Sequence, residues 1–108
     1  MLDIAIIPES PVAEIFASKC CGGLPDQNLE VRITNLGPSP VAIQSRLVLE
    51  GQGLPLTWEA VCPLGGLRIA PDDVAALYAA LDPDCLRRYQ TLVVFEADGR
   101  PHRTAIPR

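Results

Sequence analysis

The chain has 108 residues, with nine Lys and Arg against thirteen Asp and Glu, a formal net charge of −4. Leu, Ile, Val and Phe make up about 30% of it, above the roughly 20% below which chains stay disordered. The acidic balance, with Lys19 the single lysine, excludes the basic face that nucleic-acid backbones and anionic membranes require, and no apolar run reaches the ~18 residues that span a bilayer.

A chain of this length buries roughly two-thirds of its unfolded surface, enough for one core, so residues 1–108 are read as a single domain. Eleven prolines fall between short apolar runs. Proline lacks a ladder donor, so this placement punctuates short strands and excludes long helices.

In chain order, Met1 to Pro8 carries an acid at Asp3 and too short an apolar run for a secretory signal. A cytoplasmic product is expected if the chain is complete, an exported one if it is a domain cut from a larger protein. Asp3–Pro8 and Val12–Ala17 read as an edge strand broken at Pro8 and Pro11, apolar enough to allow a homo-oligomer through edge pairing. Leu29, Val31 and Ile33 alternate with Glu30, Arg32 and Thr34, which puts one face in the core and the other in water. Asn35-Leu36-Gly37-Pro38-Ser39-Pro40 is a turn, because Asn tolerates the left-handed region, Gly adopts it freely and two prolines stop the ladder. Val41, Ile43, Leu47 and Leu49 then face one way, with Gln44, Arg46 and Glu50 facing the other. Together the two runs predict an antiparallel hairpin over Leu29–Glu50.

Leu56, Trp58 and Ala60 share one parity, and Leu67–Ile69 is a short extended run. Asp73–Leu81 carries both periods: Val74, Leu77, Tyr78 and Leu81 at helical spacing, Val74, Ala76, Tyr78 and Ala80 in alternation. Pro71-Asp72-Asp73 suits a helix start, but strands on both sides favour a strand, leaving room for one short helix near 73–88. Thr91–Ala97 and Arg103–Ile106 close the chain as a hairpin on Asp98-Gly99, read as a two-residue type I′ turn.

About seven short strands with turn signals every 8–12 residues give an all-β fold, an antiparallel immunoglobulin-like β-sandwich. The run Val31–Gly37 through Pro40–Ile43, followed by Leu67-Arg68-Ile69-Ala70-Pro71-Asp72-Asp73, resembles bacterial immunoglobulin-like modules of the cell-adhesion-related and fibronectin type III-like groups. Leu81-Asp82-Pro83, with Tyr89 leading into Leu92–Phe95, looks like their tyrosine corner. The resemblance implies a non-enzymatic interaction or spacer module that binds another protein or a neighbouring domain, with no cofactor and no catalytic residues to carry over.

Other chemistry is weighed residue by residue. Cys20, Cys21, Cys62 and Cys85 are the candidates for a cysteine-dependent metal or redox site, since four thiolates complete a tetrahedral zinc shell. No Cys-x-x-Cys pair exists and adjacent cysteines point oppositely in extended chain, so small buried side chains are the preferred reading, with a disulfide from Cys20 or Cys21 to Cys62 or Cys85 as the alternative. His102, the single histidine, is read as a solvated side chain near the end of the chain. Asp72, Asp73, Asp82, Asp84 and Asp98 are loop acids that could hold calcium, but capping and turn formation account for them. Arg87-Arg88 reads as a solvated face, Gly22-Gly23 and Gly65-Gly66 lack the context of a phosphate loop, and Trp58 reads as the central core aromatic.

Overall fold

The computed structural model describes residues 1–7, 29–59, 66–79 and 83–107. Over these residues the protein is an all-β antiparallel sandwich of two sheets. One sheet takes β1 (Leu2–Ile7), β2 (Leu29–Asn35) and β6 (Val74–Ala79) in the order β1-β2-β6. The other takes β3 (Val41–Glu50), β4 (Leu56–Glu59), β7 (Thr91–Glu96) and β8 (Pro101–Ala105) in the order β4-β3-β7-β8, with β5 (Leu67–Ile69) paired to the start of β3. A single helical turn, α1 (Pro83–Leu86), precedes β7.

Period-2 alternation builds the core. Leu29, Val31 and Ile33 of β2 and Leu77 and Ala79 of β6 bury against Ile43, Leu47 and Leu49 of β3 and Leu92 and Val94 of β7. Each large apolar side chain so buried is worth roughly 1.5–3 kcal/mol relative to exposure, which fixes the two sheets face to face. Segment 74–79 is a strand because this pattern needs Ala75, Leu77 and Ala79 on the inner face; the helical stripe would have buried Val74, which is 51% exposed. Trp58, opposite Leu47 on the short strand β4, packs on the core from its margin and is half-buried, so it is not the central aromatic.

The expected hairpin over Leu29–Glu50 is not formed. β2 and β3 lie in different sheets, and residues 36–40 arch between them. The two runs bury their apolar faces against each other across the core instead of lying side by side. Asn35 directs the arch without a left-handed backbone, since among the described residues only Asp72, Gly66 and Gly99 have positive φ. Its Oδ1 accepts from Gly37 N (2.9 Å), and its Nδ2 donates to Ser39 O (2.8 Å) and to Ile69 O at the end of β5 (3.0 Å). Its backbone N donates to Asp73 O and its carbonyl accepts from Asp72 N, so this 2%-exposed residue has every polar group satisfied.

Pro71-Asp72 forms the turn between β5 and β6 rather than a helix start. Asp73 N donates to Ala70 O at 3.1 Å, and Asp72 sits at φ 61° in the position where a type II turn needs a left-handed residue. At the β7–β8 connection only Gly99 is left-handed (φ 94°), whereas a type I′ turn needs two such residues. Gly99 N donates to Glu96 O and Glu96 N to Arg100 O, a type I turn closed by a glycine bulge. The return strand therefore starts at Pro101, two residues earlier than expected.

The ladder between β3 and β7 is irregular. Ile43 faces Glu96 and Leu47 faces Val94, so β3 carries two extra residues across the Gln44–Arg46 stretch. Because the insertion is even, Ile43 and Leu47 both keep their place in the core.

Candidate functional site

Two places gather polar side chains beyond what the sandwich needs. The first is a cleft of about 220 Å³ at the pole where β1 begins, lined by Met1, Leu2, Asn35, residues 37–41, Glu96, Arg100 and His102. It can hold several waters or one small solute, each water occupying roughly 30 Å³. His102 Nε2 donates to Glu96 Oε2 at 2.7 Å, and Arg100 Nη1 stands 3.9 Å from the same oxygen. His102 is 23% exposed and thus not the solvated side chain expected from sequence. The cause is register: His102 lies opposite Val94, so it shares the inward face with Val94 and Glu96. Ser39 lines the same cleft, but no hydrogen bond joins it to His102, and the glutamate–histidine pair has no activated nucleophile beside it among the described residues.

The second place is the outer face of the β4-β3-β7-β8 sheet. Val48 of β3 and Arg103 of β8 flank Val93 of β7 by register, and Val93 is only 1% exposed although it is not part of the core. Long arginine stems cover such apolar outer positions while their heads stay in water. Arg103 Nε donates to Glu50 Oε1 at 3.1 Å. Arg46, at the irregular stretch of β3, lies with its guanidinium carbon 4.2 Å from the centroid of the Phe95 ring. Its Nε is buried and has no hydrogen-bond partner among the described residues. Glu59, opposite Arg46 in register, turns its carboxylate to the Ser45 hydroxyl at 2.7 Å. Arg46, Arg68 and Arg88 have no ion pair with any described residue, and Arg68, opposite Ala42 on β5, faces the same side as Arg46.

On the three-stranded sheet, Glu30 was expected in water and is 2% exposed instead. Arg32 is the reason on its own strand: Nε donates to Glu30 Oε2 at 2.9 Å and Nη2 at 2.8 Å, a forked contact that lets the carboxylate be buried opposite Tyr78.

The remaining candidates disperse. Cys85 is half-buried on α1 and packs against the core as a small apolar side chain; Cys20, Cys21 and Cys62 lie outside the described residues, as do Asp82, Gly22-Gly23 and Gly65. No three of His, Cys, Asp and Glu among the described residues come together as a metal site. Asp73 Oδ1 accepts from Val74 N, Asp98 Oδ1 from Arg100 N, and Asp84 from Arg87 Nη1 at 3.0 Å, so these acids serve turns and a surface pair. Tyr89 stands just before β7, half-buried against the core, where a tyrosine corner would lie. No described helix is long and apolar enough to cross a membrane.

Against known proteins, no family model, no curated protein and no solved structure matches this chain.

Proposed function

We propose that this protein is an immunoglobulin-like interaction or spacer module, acting by contact with another protein or a neighbouring domain rather than by catalysis. The observation that carries the reading is the strand order. First, second and sixth strands on one sheet, with third, seventh and eighth on the other, follow the order of immunoglobulin-type sandwiches, and two extra strands, β4 and β5, pair with the third on the side where their variable forms add strands. The two chain ends support it further. Met1 O accepts from Leu36 N at one pole, while Ile106 N donates to Gln90 O at the other, so neighbouring domains would follow head to tail. β1 and β6 border their sheet among the described strands, and β6 (Val74–Ala79) carries no charge and no proline along that border. Backbone pairing at such a border gives affinity, and the alternate side chains give selectivity.

The experiment is site-specific photo-crosslinking in the native cell, with the probe placed at Val74 on the β6 border, at Leu36 on the arch and, as a reference, at the exposed Asp84 on α1. Adducts concentrated at Val74 or Leu36 support the reading. Equal, diffuse adducts at all three positions overturn it.

A further inference from the structure

The outer face of the β3–β7 pair holds an unmet electrostatic demand. Arg46 lies with its guanidinium carbon over the Phe95 ring, its Nε is buried without a hydrogen-bond partner among the described residues, and its terminal nitrogens meet no carboxylate of those residues. Among the described residues the two acids of that face are engaged, Glu59 by Ser45 and Glu50 by Arg103. A buried donor left unpaired is rare enough in folded proteins to require an account. Stacking on the ring gives part of it, by facing the cation with the electron-rich side of Phe95. Contact with the ring also restrains the side chain, so a ligand that forks onto the terminal nitrogens costs less side-chain freedom on binding. Arg68, on the same side and without an ion pair among the described residues, adds a second positive charge along the strand direction.

We propose that Arg46, held on Phe95, is the anchor for a carboxylate in an acidic segment of a partner protein. The inference deepens the interaction-module reading and rests on it for the nature of the partner. Carboxylate geometry matches the guanidinium fork, and an extended acidic segment running across β3 would bring a second carboxylate toward Arg68. The protein's own negative charge opposes long-range attraction, so affinity comes from the fork itself and the complex is of the weak, exchangeable kind.

The test is a titration of the whole protein with a capped hexaglutamate peptide, followed in nitrogen–proton correlation spectra that include the arginine Nε–H signals. The expected result is a saturable shift of Arg46 Nε–H and of the Phe95 amide, with a Kd of about a millimolar or tighter. Arg46→Lys should weaken binding roughly tenfold, because an ammonium is a point charge without the fork. Phe95→Leu, which keeps the charge and removes the shelf, should weaken it as well. Three results overturn the inference: shifts confined to Arg68 or Arg88, binding by Arg46→Gln equal to that of the unaltered protein, or inorganic phosphate shifting Arg46 as strongly as the peptide at equal ionic strength. If a variant fails to fold, the pattern of shifts in the unaltered protein decides. Adducts at Val74 together with a silent Arg46 remove this anchor alone, whereas a responsive Arg46 with diffuse adducts removes the interaction-module reading and leaves a carboxylate site with no partner protein.

Discussion

The β2–β3 arch and the β7–β8 hairpin look alike in sequence, each an Asx and a Gly within a short break between alternating apolar runs. They do opposite things. The hairpin keeps its strands side by side, closed by Gly99 N to Glu96 O and Glu96 N to Arg100 O, with Asp98 and Gly99 in solvent. The arch sends its strands to different sheets, and its organising residue, Asn35, is buried and bonded to residues from the arch, β5 and the β5–β6 turn. The difference is where the turn's polar groups find partners. A local turn satisfies itself and leaves its strands paired. One whose side chain is satisfied by a distant element can part them and tie the two sheets together.

That contrast is open to measurement. Asn35→Ala would strand Ile69 O in a buried place and free Gly37 N and Ser39 O in partly buried ones, and should lower stability by roughly 2–4 kcal/mol in urea denaturation. Asn35→Asp should rescue little of this, since it keeps the acceptor for Gly37 N and loses both donors. If Asn35→Ala costs no more than a surface substitution, the arch is not held by this residue. Gly99→Ala meets nothing in space but forces a left-handed alanine, and should cost about 1 kcal/mol while leaving the strand amide-exchange pattern intact. Asp72→Gly relieves the one left-handed residue that is not glycine among the described residues, and should raise stability by roughly 0.5–1 kcal/mol, read as a higher melting temperature. Asp98→Ala removes an exposed hydrogen bond to Arg100 N and should change stability by about 0.5 kcal/mol or less. A larger loss would mean that the hairpin, like the arch, is held by its side chain.

The strands were legible because burial on one face leaves an alternating trace: Leu29 to Ile33 and Val41 to Leu49 read the same in sequence and in space. Which strands pair left no such trace. Alternation says that a residue faces the core, but an apolar face packs equally well beside a strand or across from it, and the bonds that tie the arch to β5 and the β5–β6 turn come from residues distant in sequence. The glutamate–histidine pair was within reach of the sequence. Continuing the Leu92, Val94 parity to Glu96 and starting the return strand at Pro101 would have turned both side chains inward. Arg46 was not. Its stacking on Phe95 depends on two extra residues in β3, and alternation cannot reveal an even insertion because the parity on either side is unchanged. The burial of Glu30 was hidden in the same way, since a charge in an alternating strand reads as solvated until Arg32 is seen to fork onto it.

The placement of Met1 and Ile106 at opposite poles has a mechanical consequence. Tension applied between them runs along β1 and β8 rather than across them. The six residue pairs between β1 and β2, and the five between β7 and β8, are then loaded in shear and must give way together instead of opening one after another. Forced unfolding is governed by the barrier and not by equilibrium stability, so a sandwich strung this way can bear a pull that its modest core alone would not suggest.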